Sequence, residues 1–204
     1  RELSGSVDAL KFNRFVTAVA ARCSQLLNYN ALAEDADIDI ATSKAWVNIL
    51  ETLGIIFLLH PYSNNVLKRT IKTPKVYFYD TGLVCYLTRW SSPEVVESGA
   101  MNGALLENFT VSEIMKSYQN AGLEPYLYFY RDRDAKEIDV VLEGDGKLSP
   151  LEIKKTAAPD KRLTRVFSVI DKSPLQLGTG AILCMADHFS AFDRDNLIVP
   201  IWMI

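Results

Sequence analysis

The 204-residue chain is poor in the side chains that build common catalytic and metal centres: it has two histidines and three cysteines. Cys23, Cys85 and Cys184 stand far apart with no Cys-x-x-Cys pair. That argues against a disulfide framework and a cysteine zinc site, and three buried structural thiols are expected. His60 and His188 have no partner pattern, so a nucleophile triad is unsupported. No Gly-x-x-x-x-Gly-Lys-Ser/Thr occurs, and Gly178-Thr179-Gly180 lacks the lysine and the spacing, so this chain alone is not expected to bind ATP. No apolar run reaches the roughly 18–20 residues needed to cross a bilayer, and the start shows neither a charged region before an apolar core nor a signal cleavage site. A cytoplasmic chain without membrane attachment is expected. Positive charge is not in excess either: the net charge is −3, so any nucleic-acid contact must come from a local basic patch. There is no internal repeat and no low-complexity tract. The first residue is Arg rather than Met, which is expected of a chain trimmed from a longer product.

What is present is a half-hydrophobic, quarter-charged composition, long enough for one large or two small domains with a real core. Phe12, Phe15, Val16, Val19, Ala20, Cys23, Leu26 and Leu27 recur at helical spacing over four turns. A short apolar-acidic segment, 31–37, follows. Thr42 is expected to cap a third helix carrying Ala45, Trp46, Ile49, Leu50 and Leu53 on one face and stopped by Gly54. Strand signals at 55–59 and 75–79 flank a polar loop, 61–73. Helix, helix, helix, hairpin is the order of a winged helix-turn-helix. Breakers concentrate in 89–101, which divides the chain into a domain of residues 1–90 and one of residues 91–204. Beyond it, 102–118 reads as a helix, 125–131 as an aromatic strand, 136–154 as a hairpin, 158–171 as a helix, and 181–185 and 197–203 as closing strands. The class is α/β (α+β), with the order α-β-β-β-α-β-β in the second half.

The hairpin is the most informative stretch. If Asp145-Gly146 forms a two-residue turn, Gly144 pairs with Lys147 and counting outward sets Asp139 opposite Glu152. Their β-carbons then lie about 5 Å apart. Strand alternation puts Asp139, Glu152 and Lys154 on one face and Ile138, Val140, Leu151 and Ile153 on the other. At an effective dielectric of about 20, two carboxylates at that distance repel by about 3 kcal/mol, which a hard divalent cation such as Mg²⁺ would offset, with Lys154 adding countercharge. The plain alternative is a solvated hairpin edge whose charges discourage aggregation.

That strand order resembles the PD-(D/E)XK, restriction-endonuclease-like fold. More closely, Tyr77-Phe78-Tyr79-Asp80-Thr81-Gly82-Leu83, Gly103-Ala104-Leu105-Leu106-Glu107-Asn108-Phe109, Tyr128-Phe129-Tyr130-Arg131, Glu137-Ile138-Asp139 and Glu152-Ile153-Lys154-Lys155 resemble one family. It is the uncharacterised C-terminal region of prokaryotic AAA-type ATPases, and the resemblance covers nearly the whole chain. It implies a parent protein in which an N-terminal ATPase domain, with its ATP site, precedes a winged helix and a nuclease-like domain. It also implies that Asp139 and Glu152 hold Mg²⁺, that Lys154 positions or activates water, and that Glu107 joins the metal shell directly or through water. A helix-surface position for Glu107, or a salt bridge from it to Lys154 or Arg131, is the plainer reading, and Glu137, in phase with Asp139, would extend the acidic patch.

A second candidate surface is the wing, where Lys68, Arg69, Lys72 and Lys75 fall within eight residues. Four phosphate contacts would give a logarithmic salt slope of about −3.6. Ser43, Lys44 and Asn48 are expected to face a groove, against the repulsion of Glu34, Asp35, Asp37 and Asp39 in the preceding turn. Lys161, Arg162 and Arg165 could line a DNA path after the third strand of the hairpin domain, although a solvated helix face is the commoner origin of such a run. The expected partners are DNA, the chain's own ATPase domain and a second copy of the chain. The rival to a DNA nuclease is a non-catalytic DNA-binding or protein-docking module.

Overall fold

The computed structural model describes residues 8–63 and 71–204, and the chain falls into two compact units, Arg1–Leu58 with Lys75–Asn108 and Leu59–Pro74 with Phe109–Ile204. The first unit opens with α1, Ala9–Ala20, started by the Asp8 carboxylate accepting the N–H groups of Leu10 and Lys11. Its apolar stripe was expected to run on to Leu27. The helix instead stops at Ala20 because Ser24 takes a left-handed conformation (φ 63°) and donates its N–H to Val76 at 2.8 Å, while Leu26 bridges to Lys75. Strand pairing claims the backbone groups that a fourth helical turn would need.

Asn28 caps α2, Tyr29–Ala36, and Asp39 caps α3, Ile40–Thr52. Thr42, the expected cap, lies in the first turn, where its N–H and hydroxyl each donate to the Asp39 carboxylate at 2.8 Å. Trp46 is core, with Phe12 and Phe15 meeting its ring at 5.1 and 5.3 Å in edge-on geometry. Three readings of this segment are corrected: Ser43 is fully buried on the inner face, while Ala45 and Leu53 are exposed. Strands β1, Ile56–Leu59, and β2, Lys75–Phe78, form a two-stranded sheet. Next come α4, Thr81–Leu87, capped by Asp80, and α5, Pro93–Ser98, capped by Ser92 with Pro93 in its first turn. Phe15, Val19, Leu32, Val47, Leu50, Ile56, Val76 and Phe78 make the core of this unit.

The division between the units falls within α6, Asn102–Asn120. Asn108 is buried and acts as a strand surrogate, accepting the N–H of Phe78 at 2.8 Å and donating to its carbonyl at 3.1 Å.

In the second unit β3, Leu127–Arg131, β4, Glu137–Gly144, and β5, Lys147–Lys154, follow one another with each strand antiparallel to the next. The rest of the sheet is β6, Gln176–Leu177, β7, Gly180–Cys184, β8, Ser190–Ala191, and β9, Asn196–Pro200, in the order β3-β4-β5-β7-β9-β8 with β6 beside β5. β5, β7 and β9 are parallel. The helix expected at 158–171 is a ten-residue 3-10 helix, Lys161–Ile170, packed on β4, β5 and β7 through buried Phe167 and Ile170. Gly180 allows this close approach, since a β-carbon there would stand 2.7 Å from the Phe167 ring. The last strand ends at Pro200 and passes into a 3-10 turn, Ile201–Met203. Helices and sheets are therefore mixed, as expected for the class, and no helix among the described residues is long and apolar enough to cross a membrane.

Candidate acidic site

The hairpin turns as the sequence predicts: Asp145 (φ 52°) and Gly146 (φ 73°) are left-handed, and Gly144 pairs with Lys147. The ladder then runs outward to Val140↔Leu151 and ends there. From that point β4 stays with β3 while β5 stays with β7, so the two strands part. A β-bulge marks the fork: Tyr128 pairs with Val141 and Tyr130 with Ile138, which sets Asp139 and Val140 together against Phe129. In a continued ladder the Ile153 N–H would meet the Ile138 carbonyl. It donates instead to the Asp139 carboxylate, at 2.8 Å.

Two expectations about faces change in consequence. The bulge moves Ile138 off the face of Val140, so that it joins Val141, Leu148, Ile182 and Cys184 in one apolar cluster. The charged face is also not solvated, since Asp139 and Glu152 are each only 8% exposed. Glu152 is in register with Ile182, and Lys154 with Cys184, on the side of the sheet that the 3-10 helix covers.

Within this setting the Lys154 ammonium lies 2.6 Å from Glu152 Oε1 and 3.5 Å from Asp139 Oδ2. Glu152 Oε2 is buried and accepts no hydrogen bond from the described residues. Burial, and then the Asp139 charge, push the Glu152 carboxyl up to about 7, with Lys154 pulling the other way. Burial draws the Lys154 ammonium down, but the two carboxylates outweigh it and hold its pKa above the usual lysine value. A buried anionic oxygen without a donor is costly, and a hard cation is one group that satisfies it.

Other residues singled out from the sequence are placed differently. Glu107, in the first unit, accepts hydrogen bonds from Lys75 Nζ at 2.8 Å and from the Tyr77 hydroxyl at 2.6 Å. The cation found there is Lys75, and Arg131 pairs with Glu137 at 3.0 Å across β3 and β4. Among the described residues no group of three or more His, Cys, Asp or Glu side chains gathers to hold a metal ion. The expectation that Lys75 is an exposed wing contact is corrected: it is 3% exposed, because its ammonium serves Glu107. Lys72 and Lys44 are exposed, Lys44 with its ammonium 5.7 Å from the centre of the Tyr29 ring, while Lys68 and Arg69 lie outside the described residues. Three of the four acids near α3 have internal work, Asp35 with Arg22 at 2.6 Å, Asp37 with Lys11 at 2.8 Å and Asp39 as a cap.

Three groups at these sites were not anticipated: Lys75 and Tyr77 on Glu107 and the Ile153 N–H on Asp139. Tyr77 was within reach of sequence reasoning, since Lys75 and Tyr77 are two apart on a strand and so share a face.

Residues 1–94 match a family model described as a domain of unknown function, DUF8612, and residues 102–204 match one described as a domain of unknown function, DUF4143. Uncharacterized proteins of Mycobacterium bovis and Mycobacterium tuberculosis are each 28% identical to the chain over 200 residues, 98% of this chain and 44% of theirs. The chain thus spans less than half the length of the curated relatives it matches. No solved structure matches it. DUF4143 is found at the C-terminus of AAA-ATPase-like proteins. With its second half matched from α6 to the last residue, the chain belongs to the DUF4143 family.

Proposed function

We propose that this chain is the C-terminal part of an AAA-type ATPase, a winged-helix unit followed by a PD-(D/E)XK nuclease-like unit, and that Asp139, Glu152 and Lys154 are a Mg²⁺-dependent site for DNA phosphodiesters. The observation that carries the reading is Glu152 Oε2, buried and without a donor beside a second carboxylate where β4 and β5 part. Asp139 and Glu152 would hold the ion, whose remaining positions go to water, as Mg²⁺ prefers. When bound, it lowers the pKa of water and offsets charge building on an attacked phosphate. The chain's own part is to prepare that place. The Ile153 N–H fixes the Asp139 carboxylate, and Lys154 holds Glu152 while supplying a positive charge beside the reacting phosphate. The part in the metal shell that the resemblance implies for Glu107 is not used in this proposal, since Lys75 and Tyr77 already donate to one oxygen of its carboxylate. ATP binding belongs to the part of the parent protein that precedes this chain.

The test uses the whole chain with supercoiled plasmid and Mg²⁺ or Mn²⁺. Nicking that is lost in Asp139→Ala and Lys154→Ala is expected, and equal activity in the variants removes the assignment. Mn²⁺ binding followed by electron paramagnetic resonance reads the site without turnover; it is expected in the parent and lost in Asp139→Ala.

One observation favours a second reading, a non-catalytic module that relays the ATPase state: Lys154 already bridges both carboxylates and partly neutralises the pair. That reading predicts no Mn²⁺ binding and no nicking.

A further inference from the structure

The 3-10 helix turns its apolar side, Leu163, Phe167 and Ile170, onto the sheet face that also carries Glu152 and Lys154. Its other side presents Lys161, Arg162 and Arg165, all exposed. With Thr164 these three line a cavity of about 230 Å³. Lys161 is held by Asp193 at 2.8 Å, and Arg162 donates from two of its nitrogens to the Asp160 carboxylate at 2.9 and 2.7 Å. These acids orient the two cations without exhausting them, since an ammonium has three N–H donors and a guanidinium five. Among the described residues Arg165 makes no ion pair, so its planar donor fork is available for an anion.

Chain connectivity sets the reach. Lys161 follows Lys154 by seven residues, so their Cα atoms are separated by at most about 25 Å, less than one turn of B-form DNA. The connecting loop is tied to the end of β7, where Met185 N–H donates to the Thr156 carbonyl at 2.9 Å. Because the whole chain carries a net charge of −3, its overall field does not attract a polyanion, and a local cluster must do so.

We propose that Lys161, Arg162 and Arg165 seat a backbone phosphate of the nucleic acid presented to the Asp139, Glu152 and Lys154 site, with Arg165 as the principal contact. This rests on the reading of that site as acting on phosphodiesters and adds where the strand is gripped. The contact goes to the backbone, so it carries no sequence preference.

The experiment is a salt series of fluorescence anisotropy, with the whole chain, a short labelled DNA duplex and EDTA, so that no metal contributes. Arg165→Ala is expected to reduce the magnitude of the log–log salt slope by about 0.9, one phosphate contact. Lys147→Ala removes the same charge from the exposed hairpin turn of the same unit and is expected to leave the slope unchanged. An unchanged slope in Arg165→Ala, an equal change in both variants, or no duplex binding by the parent chain overturns the proposal. The two readings fail separately: nicking without an Arg165 effect keeps the acidic site and removes the grip. A slope change in a chain that neither binds Mn²⁺ nor nicks plasmid keeps the grip as a binding surface and removes the nuclease reading.

Discussion

The carboxylate of Asp139 accepts the backbone N–H of Ile153 at 2.8 Å, closing with a side chain the place where the β4–β5 ladder has stopped. A functional candidate is thereby also a structural splint. Asp139→Ala leaves that N–H without its partner and is expected to cost about 1–3 kcal/mol. Asp139→Asn retains an oxygen acceptor, so it should lie nearer the parent in urea unfolding while still losing Mn²⁺ binding. Equal destabilisation by both variants would show that charge, and not the hydrogen bond, holds the fork.

Glu152 makes stability depend on pH in a stated direction. Its carboxyl is raised from an ordinary 4.5 to about 7, so the folded chain binds its proton more tightly than the unfolded chain. Its stabilising contribution is full below about pH 4.5 and is lost as the pH rises through about 7, on the order of 1–3 kcal/mol in all. Urea unfolding at about pH 5 and about pH 8 should show this loss in the parent and a smaller one in Glu152→Gln. An equal loss in Glu152→Gln would remove Glu152 as the cause, and a gain in stability with rising pH in the parent would overturn the sign.

Lys75 and Glu107 form a largely buried ion pair with Tyr77 as a second donor. Removing the cation takes the Lys75 charge away from a largely buried carboxylate, and Lys75→Met is expected to destabilise by about 2–4 kcal/mol. Tyr77→Phe, which leaves the cation in place, should cost about 1–2 kcal/mol. The DNA salt slope of Lys75→Met should equal that of the parent, since the ammonium faces inward.

Gly180→Ala tests the seating of the 3-10 helix. The added β-carbon meets the Phe167 ring at 2.7 Å and must push it, at a cost of about 1–3 kcal/mol in thermal unfolding. A neutral result would mean that the helix shifts freely over β7.

Much of this organisation is legible locally. Asp145-Gly146 forms its turn because Gly accepts positive φ without steric cost and Asp tolerates it, and from that single turn the register follows. The helices α1 and α3 follow from apolar spacing with Asp8 and Asp39 as caps. What misled was partner choice. The stripe from Phe12 to Leu27 is continuous in sequence, yet Ser24 and Leu26 serve β2. Glu107 pairs with Lys75, 32 positions away, whose nearness in sequence to Lys68, Arg69 and Lys72 points instead to an exposed wing.

The sequence by itself determined the turn and the register as far as Val140↔Leu151, because a two-residue hairpin leaves strand pairing only one count, and it marked Asp139, Glu152 and Lys154 as the groups that come together just beyond. Only the tertiary structure decided that β4 and β5 separate beyond that pair, that the acids are buried rather than solvated, and that Lys75 belongs to Glu107. Each of these depends on which strand or helix competes for a backbone or side-chain group, and that competition is resolved by packing between residues far apart in the chain.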